Sequence, residues 1–160
     1  MKNDYVVFFC LAITLHNLEE ALWLPQWSQL DLPFQQPVTA DEFHFAVLMI
    51  TALAYLVSFL YLKFPKSNGI KWGFIGFLGS MIFNAVFPHL FITLLTNTYA
   101  PGLATALILN VPINTVILYK LHESGLITVK EIMMSTVVIG MILLAIIPLL
   151  FKLGGSLIIF

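Results

Sequence analysis

His16, Glu19 and Glu20 stand in the stretch LHNLEEALW, residues 15–23, inside a run that otherwise reads as apolar. An imidazole and two carboxylates are groups that bind zinc or iron and that exchange protons near neutral pH. Their spacing, i, i+3 and i+4, turns all three toward about one side of a helix. The i, i+4 pair is also the spacing that sets two ligands on one face in helical zinc motifs. Within a membrane-spanning helix a glutamate costs on the order of 2.5–3.5 kcal/mol even on the mildest insertion scale, so two in succession must face protein, water or a cation. One helix supplies too few ligands for a closed site. His44 and His89 are the available completions, giving with His16 and Glu20 a mixed His and carboxylate shell that suits zinc or iron. Glu19 is then the residue to orient a ligand or act as general base, with Asn84 and Asn110 as supporting polar groups.

The elements that must carry these residues follow from composition. Of 160 residues, 60% are hydrophobic and 9% charged, against about 25% charged in a soluble domain. The expected fold is an all-α polytopic membrane bundle forming one domain over residues 1–160. Five stretches reach the roughly 20 apolar residues a spanning helix needs: approximately 5–24, 41–62, 71–96, 101–121 and 129–151. TADE, residues 39–42, and TVKE, residues 128–131, are capping boxes at the starts of the second and fifth. Pro101 suits the first position of the fourth. Gly69, Gly73, Gly76 and Ser80 form a small-residue stripe for close helix packing, which serves equally a homo-oligomer or a contact within one chain. A net charge of -1, seven lysines and no arginine give no basic surface for nucleic acid. The single cysteine, Cys10, has no partner for an internal disulfide.

Lys63, Lys66 and Lys71 crowd the second connection and Lys120 and Lys130 flank the fourth, which predicts an inner N-terminus and an outer C-terminus in the plasma membrane. At the helical rise, His16 then lies about 3 Å, Glu20 about 9 Å, His44 about 12 Å and His89 about 7 Å outward of the midplane, with Asn84 and Asn110 near the centre. Titratable groups from three helices share one layer of the outer leaflet.

HNLEE in the first helix, followed by Trp23, resembles the signature of the HXXEE family of uncharacterised bacterial membrane proteins. FNAVFPHL and TYAPGLATALIL are similar to that family's Asn-then-His segment and its Tyr-x-Pro-Gly entry into the next helix. The likeness spans about residues 8–120 and implies His16, Glu19, Glu20, Asn84 and His89 as the family's polar positions. The family spacing between Asn and His is four, whereas Phe87-Pro88 makes it five here. The family is defined by its motif, so the resemblance implies no reaction.

The expected function is a metal-dependent membrane enzyme, a hydrolase or oxidoreductase, whose outer-leaflet pocket transforms a lipid or another apolar molecule. The ion would activate water or polarise a carbonyl or phosphoryl oxygen. Alternatives are an ion or proton transporter or relay, and a non-catalytic membrane subunit. Plainer roles stand beside these: a His16–Glu20 pair fixing helix register, His44 meeting water at the interface, His89 satisfying the carbonyl freed by Pro88, and Asn84, Asn110 and Asn114 as interhelical hydrogen-bonding groups. The Pro-rich connection at residues 25–40 is a candidate lid.

Overall fold

The structure is a computed structural model that describes residues 2–30 and 36–158. Residues 31–35, the middle of the candidate lid, lie outside the described residues. Among the described residues the fold is all-α: α1 (Lys2–Trp27), α2 (Ala40–Lys63), α3 (Asn68–Asn84), a kinked segment (Ala85–Leu90), α4 (Phe91–Thr96), α5 (Leu103–Thr105), a π-helical turn (Ala106–Asn110), α6 (Val111–Glu123) and α7 (Val129–Leu157). Taken end to end they make five helices long and apolar enough to cross a membrane, Asp4–Trp27, Ala40–Lys63, Asn68–Thr96, Leu103–Glu123 and Val129–Leu157. Both capping boxes are formed, Thr39 with Glu42 and Thr128 with Glu131.

Two spans are not continuous α-helices, and both irregularities fall beside the titratable residues. In the third, a kink falls within Ala85–Leu90, where Phe87 adopts the non-helical φ -131, ψ 119 and the Phe87–Pro88 peptide is cis. The fourth starts at Leu103, two residues later than Pro101 suggests. Pro101 and Gly102 form a turn closed by the Leu103 N–H to Ala100 carbonyl bond of 3.1 Å. Gly102 holds φ +94, the left-handed value that the second corner of a type II turn requires and a helix forbids.

The inner core is aromatic and aliphatic. Phe9 of α1 meets Phe74 and Phe77 of α3 edge-on, and Tyr61 of α2 stacks on Phe74 at 4.4 Å between centroids. Ile117, Leu118 and Leu121 of α6 complete that cluster. The outer surface is also apolar, with Leu48, Leu94, Ile108, Met133 and Leu144 all exposed, as acyl chains rather than water would require.

Half of the small-residue stripe is taken up inside the chain by α7, at Gly76 and Ser80, and Gly73 faces Val57 of α2. A Cβ built on Gly76 would lie 2.6 Å from the Ser135 carbonyl oxygen and 2.9 Å from Ile139 Cβ, while one on Gly69 meets nothing within 4 Å. Backbone cannot swing aside as a side-chain tip can. Gly76→Ala is therefore expected to lower thermal stability in detergent by about 1–3 kcal/mol through overpacking. Gly69→Ala is expected to be neutral or to stabilise by up to about 1 kcal/mol. Equal melting temperatures for the two variants would contradict the close α3–α7 approach.

Candidate metal centre

His16, Glu20 and His89 each offer one ligand atom, and these atoms lie within 4.8 Å of one another. Glu20 Oε1 is 3.2 Å from His89 Nε2 and 3.7 Å from His16 Nε2, and the two imidazoles stand nearly perpendicular, 5.1 Å between centroids. Both rings are buried, and Glu20 is 15% exposed. The i, i+4 register of α1 supplies His16 and Glu20 on one face. His89 arrives across a kink in the third span, where Phe87 leaves helical geometry. Residues five apart in a regular α-helix diverge by about 140°, whereas the break at Phe87 re-aims the chain between Asn84 and His89. Asn84 and His89 accordingly meet, with Asn84 Nδ2 3.1 Å from His89 Nε2 and 3.2 Å from His16 Nε2.

The protons of the cluster can be partly assigned. His16 Nδ1 lies 3.1 Å from the Gly102 carbonyl oxygen, which only accepts, so Nδ1 carries the hydrogen and Nε2 presents a lone pair to the cluster. The two N–H groups of Asn84 serve His16 and His89. The Glu20 oxygen lies 3.2 Å from one of their ring nitrogens and 3.7 Å from the other, an arrangement that calls for a cation, either a proton or a metal ion. Three convergent His and carboxylate donors, one already oriented by a backbone carbonyl, fit zinc or iron.

Glu19 turns away from this cluster and ties α1 to the chain around Gly102. Its Oε1 accepts from the Tyr99 hydroxyl and from Gly102 N–H at 3.0 Å. Its Oε2 accepts from Thr105 N–H at 2.9 Å and from the Thr105 hydroxyl at 2.5 Å. Four donors fill the roughly four acceptor sites of a carboxylate. Burial and the bond to Glu19 push the Tyr99 phenol above its ordinary pKa, so it remains a donor at neutral pH. Tyr99→Phe deletes one of these bonds to a charged acceptor and is expected to cost about 1.5–3 kcal/mol of thermal stability. An unchanged melting temperature would show that the phenol does not hold the turn.

Residues 7–117 match a family described as a protein of unknown function with HXXEE motif. The chain belongs to the HXXEE family. His16, Glu19 and Glu20 are the letters of that motif in this sequence. An uncharacterised protein of Bacillus subtilis (strain 168), YrkK, is 59% identical over 152 residues, covering 95% of this chain and 96% of the relative. No solved structure matches. In this HXXEE protein the two glutamates of the motif have separate surroundings: Glu20 joins the imidazoles, and Glu19 holds the turn that packs on them.

The remaining sequence candidates divide. His44 is not among the convergent donors: its Nε2 lies 2.8 Å from the Ala21 carbonyl and ties α2 to α1. Asn84 sits between the two imidazoles. Asn110 and Asn114, one turn apart, are 0% exposed, and none of their amide atoms has a hydrogen-bond partner. Tyr99 and Gly102, which the sequence marks only as a Tyr-x-Pro-Gly helix entry, and Thr105 carry site geometry that the sequence alone does not assign to them. The Pro-Gly pair of YAPGL was the available signal, since it marks a turn needing a positive φ. Beside the cluster lies a cavity of about 260 Å³, bordered by His16, Glu20 and Asn84 at its polar part. Phe43, Leu143, Ile147 and Phe151 form apolar wall.

Proposed function

We propose that this protein is a metal-dependent membrane enzyme that acts on a lipid or another apolar molecule, with His16, Glu20 and His89 as ligands to zinc or iron. The observation that carries this reading is the convergence of three donor atoms within 4.8 Å at the polar part of an otherwise apolar cavity. Phe83, Phe87 and Leu144 line that cavity and are 57%, 48% and 61% exposed on the outer surface. A substrate therefore enters sideways from the bilayer, head toward Glu20. The lysine distribution supports an inner N-terminus, an outer C-terminus and a site in the outer leaflet of the plasma membrane.

A divalent cation at such a site supplies Lewis-acid polarisation of a carbonyl or phosphoryl oxygen, or activation of water. The chain's own contributions are separable. Gly102 and Thr105 fix the His16 ring, Glu19 fixes Gly102 and Thr105, and the apolar walls exclude bulk water. Glu19 is thus a positioning residue, its lone pairs already taken, and Glu20 is the carboxylate available to the ion. His44 is outside the ligand set, its Nε2 being engaged with Ala21.

The test uses purified full-length protein reconstituted in vesicles of bacterial polar lipids, with metal content measured and the lipids followed by mass spectrometry. About one zinc or iron per chain and a lipid product lost with chelator and with Glu20→Gln are expected. A metal-free protein that leaves the lipids unchanged would overturn the reading. The 3.2 Å Glu20–His89 contact also suits a shared proton. Proton flux lost in Glu20→Gln, without bound metal, would establish a relay instead.

A further inference from the structure

Asn84 occupies the corner of the cluster that three ligands leave open. Its amide nitrogen is 3.2 Å from His16 Nε2 and 3.1 Å from His89 Nε2. Glu20 Oε1 is 3.7 Å and 3.2 Å from the same two atoms. Donors bound to a tetrahedral ion at about 2.0–2.1 Å stand about 3.3–3.4 Å apart. Four of the six donor-to-donor distances thus match those of a single coordination shell within a few tenths of an ångström.

The orientation of the amide decides what Asn84 does in that shell. With Nδ2 turned inward, its two hydrogens satisfy the lone pairs of both imidazoles. A cation that takes those lone pairs removes both acceptors at once and repels the amide hydrogens. Rotation by half a turn about the last side-chain bond exchanges Nδ2 for Oδ1 in almost the same place. Resting on the His16–Glu20–His89 metal site, we propose that Asn84 is its fourth ligand, bound through Oδ1. In the metal-free protein the same side chain, turned over, holds the two imidazoles in ligand geometry. Asn84 borders the apolar cavity together with His16 and Glu20. A neutral amide oxygen is a weaker donor than an imidazole or a carboxylate, so this is the corner a substrate oxygen displaces. Closed in the resting protein, the site becomes a three-ligand site with one open position when substrate arrives.

The experiment titrates metal-free full-length protein in detergent micelles with Co²⁺ and Zn²⁺, comparing wild type, Asn84→Ala and Asn84→Asp. The cobalt absorption band reports the number of ligands, and chelator competition gives the zinc affinity. Wild type is expected to show the intense visible band of four-coordinate cobalt. Asn84→Ala should change that band and weaken zinc by about 10–100-fold, a range that loss of a merely orienting group can also reach. Asn84→Asp separates the two roles, because it keeps an oxygen donor and has no N–H to offer the imidazoles. Zinc affinity at or above the wild-type value in Asn84→Asp supports ligation, and affinity as low as in Asn84→Ala overturns it. Equal bands and affinities in wild type and Asn84→Ala also overturn it while leaving the three-ligand site standing. Failure of wild type to bind either ion overturns both.

Discussion

His16→Ala is expected to leave the purified protein without bound metal and without any stabilisation by added zinc. The His16 ring is 1% exposed and is held at both nitrogens, by Gly102 on one side and Asn84 on the other. No other imidazole among the described residues stands ready to replace it, since His44 is engaged with Ala21 and His122 with the Ile127 carbonyl. Glu20, His89 and the weakly donating Asn84 amide remain, a set with a single imidazole that falls short of the two histidines and a carboxylate of a catalytic zinc site. For wild type, an ion that binds only the folded state stabilises it by about 2.7 kcal/mol at a hundredfold excess over the dissociation constant. The truncated variant should show none of this shift. It should also melt earlier when metal-free, because the hydrogen bond to the Gly102 carbonyl is lost, at about 0.5–1.5 kcal/mol, while that carbonyl keeps the Ala106 N–H at 2.9 Å. Metal per chain and the zinc-induced rise in melting temperature, measured together, check the expectation. A His16→Ala protein that keeps both would remove His16 from the site.

Much of this architecture is legible in the sequence because lipid leaves few choices. Five apolar stretches of sufficient length become five helices, since backbone polar groups in hydrocarbon have to be satisfied within the segment. Thr39 and Thr128 announce their helix starts because a capping box is local chemistry. His16 and Glu20 are found together for the same reason: a helical register of four is fixed by neighbours in sequence. Legibility fails where position depends on a break in the helix rather than on periodicity. Asn84 and His89 look divergent at a spacing of five, and the kink at Phe87 makes them neighbours. Glu19 and Glu20, adjacent and chemically alike, differ because Tyr99, Gly102 and Thr105 from a distant turn reach one and not the other. His44 shares the depth of the cluster in a one-dimensional estimate, but its ring meets the α1 backbone instead. Depth along the membrane normal follows from residue counting, whereas rotation about each helix axis is set by packing.

Gly102 offers the sharpest separation between possessing ligands and placing them. A Cβ at this position would lie 2.7 Å from His89 Cε1, 2.9 Å from Glu20 Cγ and 2.9 Å from His16 Cε1. Each of the three proposed ligands is thus touched by the missing methyl group. The backbone objects as well, because φ is +94 and a left-handed conformation costs an ordinary residue about 1–2 kcal/mol. Adding about 1–3 kcal/mol for overpacking, Gly102→Ala is expected to destabilise the protein by about 2–5 kcal/mol and to abolish stoichiometric zinc, although every donor is retained. Gly102→Asn divides the two causes. Asparagine tolerates a positive φ better than alanine does, yet it brings the same Cβ and a larger side chain into the cluster. If contact with the ligands dominates, the asparagine variant melts no higher than the alanine variant and binds no zinc. Recovery of wild-type melting and zinc content in Gly102→Asn would instead reduce Gly102 to a requirement of the turn.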